Sequence, residues 1–433
     1  MLTFLGGSMV AAFMTLIMTR RMSALVALVV VPIGFGLIAS GLHIGPMMLD
    51  GLQKLGPTAA MLMFSIVYFS IMTDAGVFDP VVRGVLHIAH GDPLRIYLGT
   101  ACMGIVVALD GDGSTTYMIC VSALLPIYKR LGLSLQYMAT LLVMSIGIMN
   151  ILPWGGPSAR AASAMHLDVA DVFVPLIPVM LVGFAYNLCV ATVFGLRERR
   201  RVGVLSDAQF AAMRRDIGDV PDYRRPNRLW FNIALTGVLL VSLVIGLLPL
   251  PILFIIASAL ALMINYPSLA EQKERLTAHA YNIISVVGLI LAAGVFTGIL
   301  FGTGMVEAMS KDLLSITPQW LGPYLAPATA LLSGVATYAV TNDAFYFGML
   351  PILAQTAQAY GISATEMASA SLIGQPMHLL SPLVASTYLL VALLDINYGD
   401  NQKRSFPWVI GLMLVMLASS ILFGVIPLRG SLS

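Results

Sequence analysis

The chain has 433 residues, of which 58% are hydrophobic and only 10% charged, with a net charge of +2. Against the roughly 25% charged residues of an average soluble protein, this composition excludes a soluble globular domain, and so small a net charge leaves no electrostatic footprint for nucleic acid. The chain reads as an all-α polytopic membrane protein whose first partner is the lipid bilayer. Its three cysteines, Cys102, Cys120 and Cys189, lie in apolar segments without disulfide or metal-thiolate spacing.

A spanning helix needs about 20 predominantly apolar residues, and such runs begin with Leu2–Met18, Met22–Ala39 and Pro57–Met72. The first has no basic stretch ahead of it and no clear small-residue cleavage site; its basic pair, Arg20 and Arg21, follows it. Lys and Arg collect in cytoplasmic loops, so this order predicts a retained helix with its N-terminus outside. The third run ends in TDAGVFDP, where Asp74 is expected at the membrane interface.

The stretch ALDGDGSTTYMICV, Ala108–Val121, then places Asp110 and Asp112 inside an apolar run. A charged side chain at the bilayer centre costs at least about 2.5–3.5 kcal/mol, so each needs water, a cation or a partner. Gly111 and Gly113 break the helix, and non-helical backbone at that depth is tolerated only where it is buried in protein or lines a cavity. Ser114, Thr115 and Thr116 are expected to cap a restarted helix. These features predict a re-entrant hairpin over about 95–130 with the aspartates at its tip. The free N–H groups there suit an anion, and the carboxylates suit a hard cation or a proton. A water-exposed, calcium-loop-like DGDG turn is the alternative, though no Glu follows at the spacing such a loop requires.

A broken helix is expected over about 135–167, where NILPWGGPSAR, Asn150–Arg160, gathers two prolines and two glycines. Prolines leave carbonyls free to face a ligand. Arg160 is the one Lys or Arg assigned to the membrane interior; its planar fork fits a carboxylate bidentately, and the competing reading is an ion pair with a buried aspartate. Trp154 is read as a packing or loop-anchoring residue. A further span, Asp171–Leu196, ends at the basic connector 197–228, read as a solvated cytoplasmic linker.

The second half, 229–433, repeats the pattern. Spans at Leu229–Leu248, Ile252–Tyr266 and Tyr281–Phe301 lead to GTGMVEAM, where Glu307 is expected at an interface. A second hairpin over about 324–360 carries TNDAFYFG, Thr341–Gly348, with Asn342 and Asp343 interrupting the apolar run. A second broken helix over about 365–396 carries QPMHLLSP, Gln375–Pro382, and a last span covers Pro407–Ile426. His378 is read either as a group that protonates near neutral pH or as a packing histidine. Leu125-Pro126-Ile127 and Gly132-Leu133-Ser134 are echoed by Leu350-Pro351-Ile352 and Gly361-Ile362-Ser363, so residues 1–196 and 229–433 form two repeats. If neither hairpin crosses, the outside receives only Lys54, Lys311 and Arg429 of the basic residues, and the repeats are inverted, a known transporter design.

ALDGDGSTTYMI, LPWGGPSARAA, TNDAFYFGMLPIL and QPMHLLSPLVASTYLL resemble the motifs of the citrate-metal-proton symporters, CitMHS, over nearly the whole chain and in the same order. The resemblance implies symport of citrate, or a similar tricarboxylate, as a complex with a divalent ion such as Mg or Ca, coupled to protons, without a permanently bound cofactor. It also implies an inverted-repeat fold with two re-entrant hairpins and two broken helices, usually a homodimer with an elevator-type moving domain, in a bacterial inner membrane. The substrate would lie between the hairpin tips and the helix breaks, touching Ser114, Thr115, Thr116, Asn150, Gly155, Gly156, Arg160, Thr341, Asn342, Gln375, His378 and Ser381. Asp112 and Asp343 are the expected proton and metal contacts, with Asp110 third for the proton. Related sodium-coupled carriers have Ser-Asn-Thr at the tips; Asp112-Gly113-Ser114-Thr115 and Thr341-Asn342-Asp343 depart from that pattern, which puts a plain sodium site in doubt. Exchange of sodium, arsenite or another organic anion on the same scaffold remains open. An intramembrane aspartyl protease is a remote alternative, since the usual YD and GxGD pair is missing.

Overall fold

The computed structural model describes residues 1–19, 21–88, 91–204 and 223–431, and among these the regular structure is helical throughout. The long apolar runs become α1 (Leu2–Met18), α2 (Ala24–Ser40), α3 (Ile44–Ala75) and the short α4 (Asp79–Ile88). After the first hairpin and broken helix come α9 (Val169–Phe173) and α10 (Ile177–Val202). The second half opens with α11 (Leu229–Val244), α12 (Leu250–Asn265), α13 (Leu269–Gly302) and α14 (Met305–Ile316), and it closes with α20 (Tyr398–Leu422). Among the described residues six helical stretches are long and apolar enough to cross a bilayer. The chain is a multi-pass membrane protein.

Both hairpins and both breaks are present. The first hairpin pairs α5 (Pro93–Val107) with α6 (Gly113–Arg130) across a turn at 108–112. The first broken helix is α7 (Leu135–Met149), a non-helical stretch, then α8 (Gly156–Met165). The second hairpin pairs α15 (Leu325–Ala339) with a π-helical turn, Ala344–Met349, running into α16 (Leu350–Gln358). The second break separates α17 (Ala364–Leu372) from the one-turn α18 (Gln375–His378) and α19 (Ala385–Leu394).

The halves match in detail. Gly76 (φ 87°) ends α3 and Gly304 (φ 74°) follows α13, each turning the chain into a short helix in the left-handed region that glycine enters without strain. More telling are His166 (φ 55°) and Asp395 (φ 54°), the non-glycine residues with positive φ among those described, which end α8 and α19 respectively. Each is followed two residues later by a side-chain cap, Asp168 over Ala170 and Asn397 over Gly399. Identical strained corners at corresponding places are what an inverted repeat predicts.

Several expected boundaries are corrected. The run expected at 57–72 is a 32-residue helix, α3, that begins at Ile44. The helix expected to begin at Tyr281 begins at Leu269, behind a Ser268–Glu271 capping box, and α20 begins at Tyr398 instead of Pro407. The span expected at 171–196 divides into α9 and α10, and α10 continues to Val202, so the first residues of the connector are helical. The connector's 205–222 lie outside the described residues. At its far end Arg225 donates to the Asn265 carbonyl (2.9 Å) and pairs with Glu271 (2.7 Å).

The long helices α3 and α13 make the most extensive helix–helix contact among the described residues. Their contact is backbone against backbone: a Cβ on Gly51 would sit 2.0 Å from the Gly294 carbonyl oxygen, and one on Gly298 2.3 Å from that of Met47. Small residues allow such an approach in a membrane, where there is no hydrophobic drive between helices. Asp74 faces this pair from the end of α3, 2.8 Å from His279 Nε2 and 3.5 Å from Arg275 Nη1 on α13. Glu307 makes a surface pair with Lys311 (2.9 Å).

Candidate functional site

At the first hairpin tip, Gly111 adopts φ 78°, and the backbone N–H of Asp112 donates to Asp110 Oδ1 at 2.9 Å. Asp112 is the N-cap of α6: its carboxylate accepts the N–H groups of Ser114 (3.1 Å) and Thr115 (3.0 Å) and the Thr115 hydroxyl (2.6 Å). This corrects the expectation that Ser114–Thr116 cap the helix and leave its N–H groups free for an anion. Aspartate is among the strongest caps because its oxygens reach the orphan donors of the first turn. The Thr116 hydroxyl turns inward and donates to the Asp112 carbonyl (2.9 Å).

The tip is held from the first break. Trp154 is buried; its indole N–H donates to the Leu109 carbonyl at 2.8 Å, and its ring stacks on Phe69 of α3 at 4.9 Å and meets Phe254 of α12 edge-on at 5.2 Å. It anchors the loop, as the sequence suggested, and it does so by joining hairpin and break to α3 and α12 at one point. On the other side the tip meets the second broken helix: a Cβ on Gly113 would lie 3.3 Å from Ser386 Oγ on α19.

The second hairpin tip lies against the first break. Arg160 Nε on α8 is 2.5 Å from Asp343 Oδ1, and both side chains are mostly buried, at 17% and 14% exposure. Gly156, one turn earlier, makes room for the guanidinium, since a Cβ there would fall 2.5 Å from Arg160 Nη1. Of the two readings of Arg160, the ion pair is the one present in this conformation. Thr341 accepts the Ala344 N–H through its hydroxyl (3.2 Å) and so caps the second arm.

Side-chain amides join the two breaks. Asn150 Nδ2 donates to Gln375 Oε1 (3.1 Å), and Gln375 Nε2 donates to the Tyr346 hydroxyl (2.7 Å) and to Asn342 Oδ1 (3.4 Å). Tyr346 in turn donates to the Ser371 carbonyl at 3.3 Å. The close fit needs glycine: a Cβ on Gly155 would sit 2.3 Å from the Asn150 carbonyl oxygen, and one on Gly147 2.7 Å from Pro376 Cα. His378 and Ser381 fix the first arm of hairpin 2 through its backbone carbonyls. His378 Nδ1 bonds the Thr337 carbonyl (2.7 Å), and the Ser381 hydroxyl donates to that of Tyr338 (2.7 Å).

The nominated residues thus form two clusters, Asp110–Thr116 under Trp154, and Arg160–Asp343 with Asn150, Asn342 and Gln375. Tyr346, Phe69 and Phe254 were not nominated. Tyr346 lay inside a quoted motif, whereas the two phenylalanines stand in ordinary apolar runs and carry no signal. Among the described residues no three His, Cys, Asp or Glu side chains gather as a metal cage.

Residues 10–374 match the family model described as CitMHS, citrate transporter. The chain is 48% identical over 427 residues to the "Citrate transporter" of Bacillus subtilis (strain 168), covering 98% of this chain and 100% of that one. The chain belongs to the CitMHS family of citrate transporters. It is 47% identical over 429 residues to the "Mg(2+)/citrate complex secondary transporter" of the same organism, covering 98% and 99%. A CitMHS member is a transporter and not an enzyme, which disposes of the protease alternative.

Two solved structures share the architecture at low identity. The Alcanivorax borkumensis YdaH transporter superposes with TM-score 0.65 at 12% identity, covering 89% of each chain. Neisseria gonorrhoeae MtrF superposes with TM-score 0.59 at 14% identity, covering 91% of this chain and 87% of that one. These likenesses concern the CitMHS fold alone: a helical membrane transporter of inverted repeats, with two re-entrant hairpins and two broken helices.

Proposed function

We propose that this CitMHS member carries citrate as a complex with a divalent cation, Mg²⁺ or a close relative, into the cell together with protons. The observation that carries the reading is the Arg160–Asp343 pair, an intramembrane cation held by a carboxylate between the two repeats. An incoming tricarboxylate offers Arg160 a second carboxylate of the same geometry. When Arg160 turns to it, Asp343 is left without its countercharge, and taking up a proton removes that charge before the site moves through the bilayer. Chelation does the same for the substrate by lowering the charge to be desolvated.

The metal enters as cargo and stays within the citrate complex, with Asp112 and Asp343 reaching its outer shell. Asn150 and Gln375, with Asn342, present neutral amides to the remaining oxygens. The hairpins and broken helices form the moving body of an elevator, α3 and α13 belong to the static one, and two chains pair as a homodimer. The central loop is cytoplasmic, in a bacterial inner membrane, with the N-terminus outside. Transport of another anion or of sodium is the competing reading.

The test is uptake of radiolabelled citrate into proteoliposomes under an imposed pH gradient, with no metal, Mg²⁺, Ca²⁺ or Zn²⁺ supplied in turn. The proposal requires uptake that depends on both a metal and the inward proton gradient. Uptake indifferent to a chelator removes the metal complex, and uptake indifferent to the gradient removes proton coupling.

A further inference from the structure

The two repeats match in sequence and in backbone but not in burial. Aligning Leu125-Pro126-Ile127 with Leu350-Pro351-Ile352 places Ser122 opposite Phe347 and Ile119 opposite Ala344. Phe347, Ala344 and Pro351 are buried, whereas Ser122 and Pro126 are exposed and Ile119 is half-buried. Aligning the strained corners His166 and Asp395 places Ala159 opposite Tyr388 and Ser163 opposite Ala392. Ala159 and Ser163 are buried at 0% and 1%, yet Tyr388 is 47% exposed and Ala392 is exposed as well. The second arm of hairpin 2 and the neighbouring α8 are sealed, and their counterparts α6 and α19 are open; the first arms differ the other way, α15 exposing Leu331, Leu332 and Val335 where α5 is covered but for Arg95.

The packing explains the difference. The second arm of hairpin 2 is covered by α1 and α14: α1 lies on the π-helical turn, with Val10 Cγ1 only 3.1 Å from where a Cβ on Gly348 would be, and α14 lies on α16. The counterparts of α1 and α14 are α11 and α4. Here α11 packs on α12 and reaches α3 through the Tyr68–Thr236 hydrogen bond, while α4 packs chiefly on α5. The uncovered face of α6 is marked by Asp112, Met118, Ser122 and Pro126, which are exposed, with Thr115 and Ile119 half-buried beside them, at the three- and four-residue spacings of one helical stripe. It begins at the charged Asp112, and although the Thr115 and Ser122 hydroxyls donate to the Asp112 carboxylate and the Met118 carbonyl, the charge at the tip suits water and a polar solute better than lipid tails.

We propose that this stripe of α6, with the exposed face of α19 that packs on the same helix, is the cytoplasmic release path for the substrate, and that the structure has this path open and its outer counterpart shut. The sidedness rests on the topology given under the proposed function. In inverted-repeat transporters the opposite-facing state follows when the repeats exchange conformations. In that state α11 and α4 cover the stripe as α1 and α14 now cover the second arm of hairpin 2. Matching α1 to α11 from Leu2 and Leu229 makes Gly237 the partner of Ala123, as Val10 is of Gly348.

The experiment uses the full chain in native membrane vesicles with Cys102, Cys120 and Cys189 replaced by alanine. A Ser122→Cys variant is expected to react with a membrane-impermeant maleimide in inside-out vesicles and to be protected in right-side-out ones. A Phe347→Cys variant is expected to react at least tenfold more slowly from the inside. Reaction of Ser122→Cys from the outside, or from neither side, overturns the proposal. An Ala123→Cys/Gly237→Cys variant is expected to form an intramolecular disulfide under mild oxidant, read by mass spectrometry of the linked peptides. Failure to link while each single cysteine reacts with a small thiol reagent overturns the exchange. Neither readout uses citrate, so a failed uptake assay beside successful labelling removes only the substrate assignment.

Discussion

Arg160 on α8 and Asp343 at the tip of hairpin 2 stand 183 residues apart in sequence and 2.5 Å apart in space. Each alone would be a charge stranded in the membrane interior; together they bind the first repeat's broken helix to the second repeat's hairpin. Removing one partner of a buried pair leaves the other uncompensated and costs about 3–5 kcal/mol, while removing both costs much less.

Arg160→Ala is therefore expected to lower citrate uptake by about 100-fold or more and to lower the melting temperature in detergent. Arg160→Ala/Asp343→Ala is expected to regain part of that stability without regaining transport. Asp343→Asn keeps the guanidinium for the substrate, so citrate still protects the protein from unfolding, but the pH gradient no longer drives accumulation. If the double variant loses as much stability as the two singles added together, the two residues are not coupled.

Trp154→Phe separates the indole hydrogen bond from the aromatic packing. The phenyl ring can still stack on Phe69, but the Leu109 carbonyl loses its donor, at a cost of about 1–3 kcal/mol for a buried group left unsatisfied. Hydrogen exchange across 108–116 is expected to speed up at least tenfold, with exchange in α7 unchanged. An unchanged rate at the tip would mean that the turn is held by Asp110 and Asp112 alone.

The hairpins and breaks were legible because each interrupts an apolar run with carboxylates, glycines or prolines, and lipid tolerates such interruptions only for a reason. Helix ends were less so. Asp50 and Lys54 lower the apolarity of Ile44–Leu55, yet they form an i,i+4 pair at 2.8 Å on an exposed face and let α3 run through. Likewise the polar LAEQKERLTAH begins α13 behind its capping box. The individual charges Arg160 and Asp343 stood out, but their pairing depends on how the two repeats dock, which no local pattern encodes. The cap was expected from Ser114–Thr116 and is Asp112 instead; the missed signal is its place before Gly113-Ser114-Thr115, where a short acceptor reaches the free N–H groups of the first turn.

Gly51→Ala tests the α3–α13 pair. A new Cβ would meet the Gly294 carbonyl oxygen at 2.0 Å, and backbone cannot step aside as a side chain can. Overpacking of this kind costs about 1–3 kcal/mol or more. The variant is expected to melt earlier, whereas Gly45→Ala on the same helix, with nothing within 4 Å, is expected to match the parent. Equal melting of the two would show that α3 and α13 separate freely at this crossing.

Asp112 poses the sharpest question, because its carboxylate is both a helix cap and a candidate contact for the metal or the proton. Asparagine caps about as well as aspartate, whereas alanine loses about 0.5–2 kcal/mol. Asp112→Asn gives up the charge and one of the two capping oxygens, and Asp112→Ala gives up everything. Stability is expected to fall in the order parent, Asn, Ala, with the Asn variant close to the parent. Metal-dependent citrate uptake is expected to fall about tenfold already in the Asn variant, out of proportion to its small loss of stability. The paired measurement is thermal unfolding alongside uptake at saturating Mg²⁺ with and without the pH gradient. If uptake instead follows stability through the series, Asp112 serves the fold of the hairpin tip, and the charge that answers the substrate resides on Asp343.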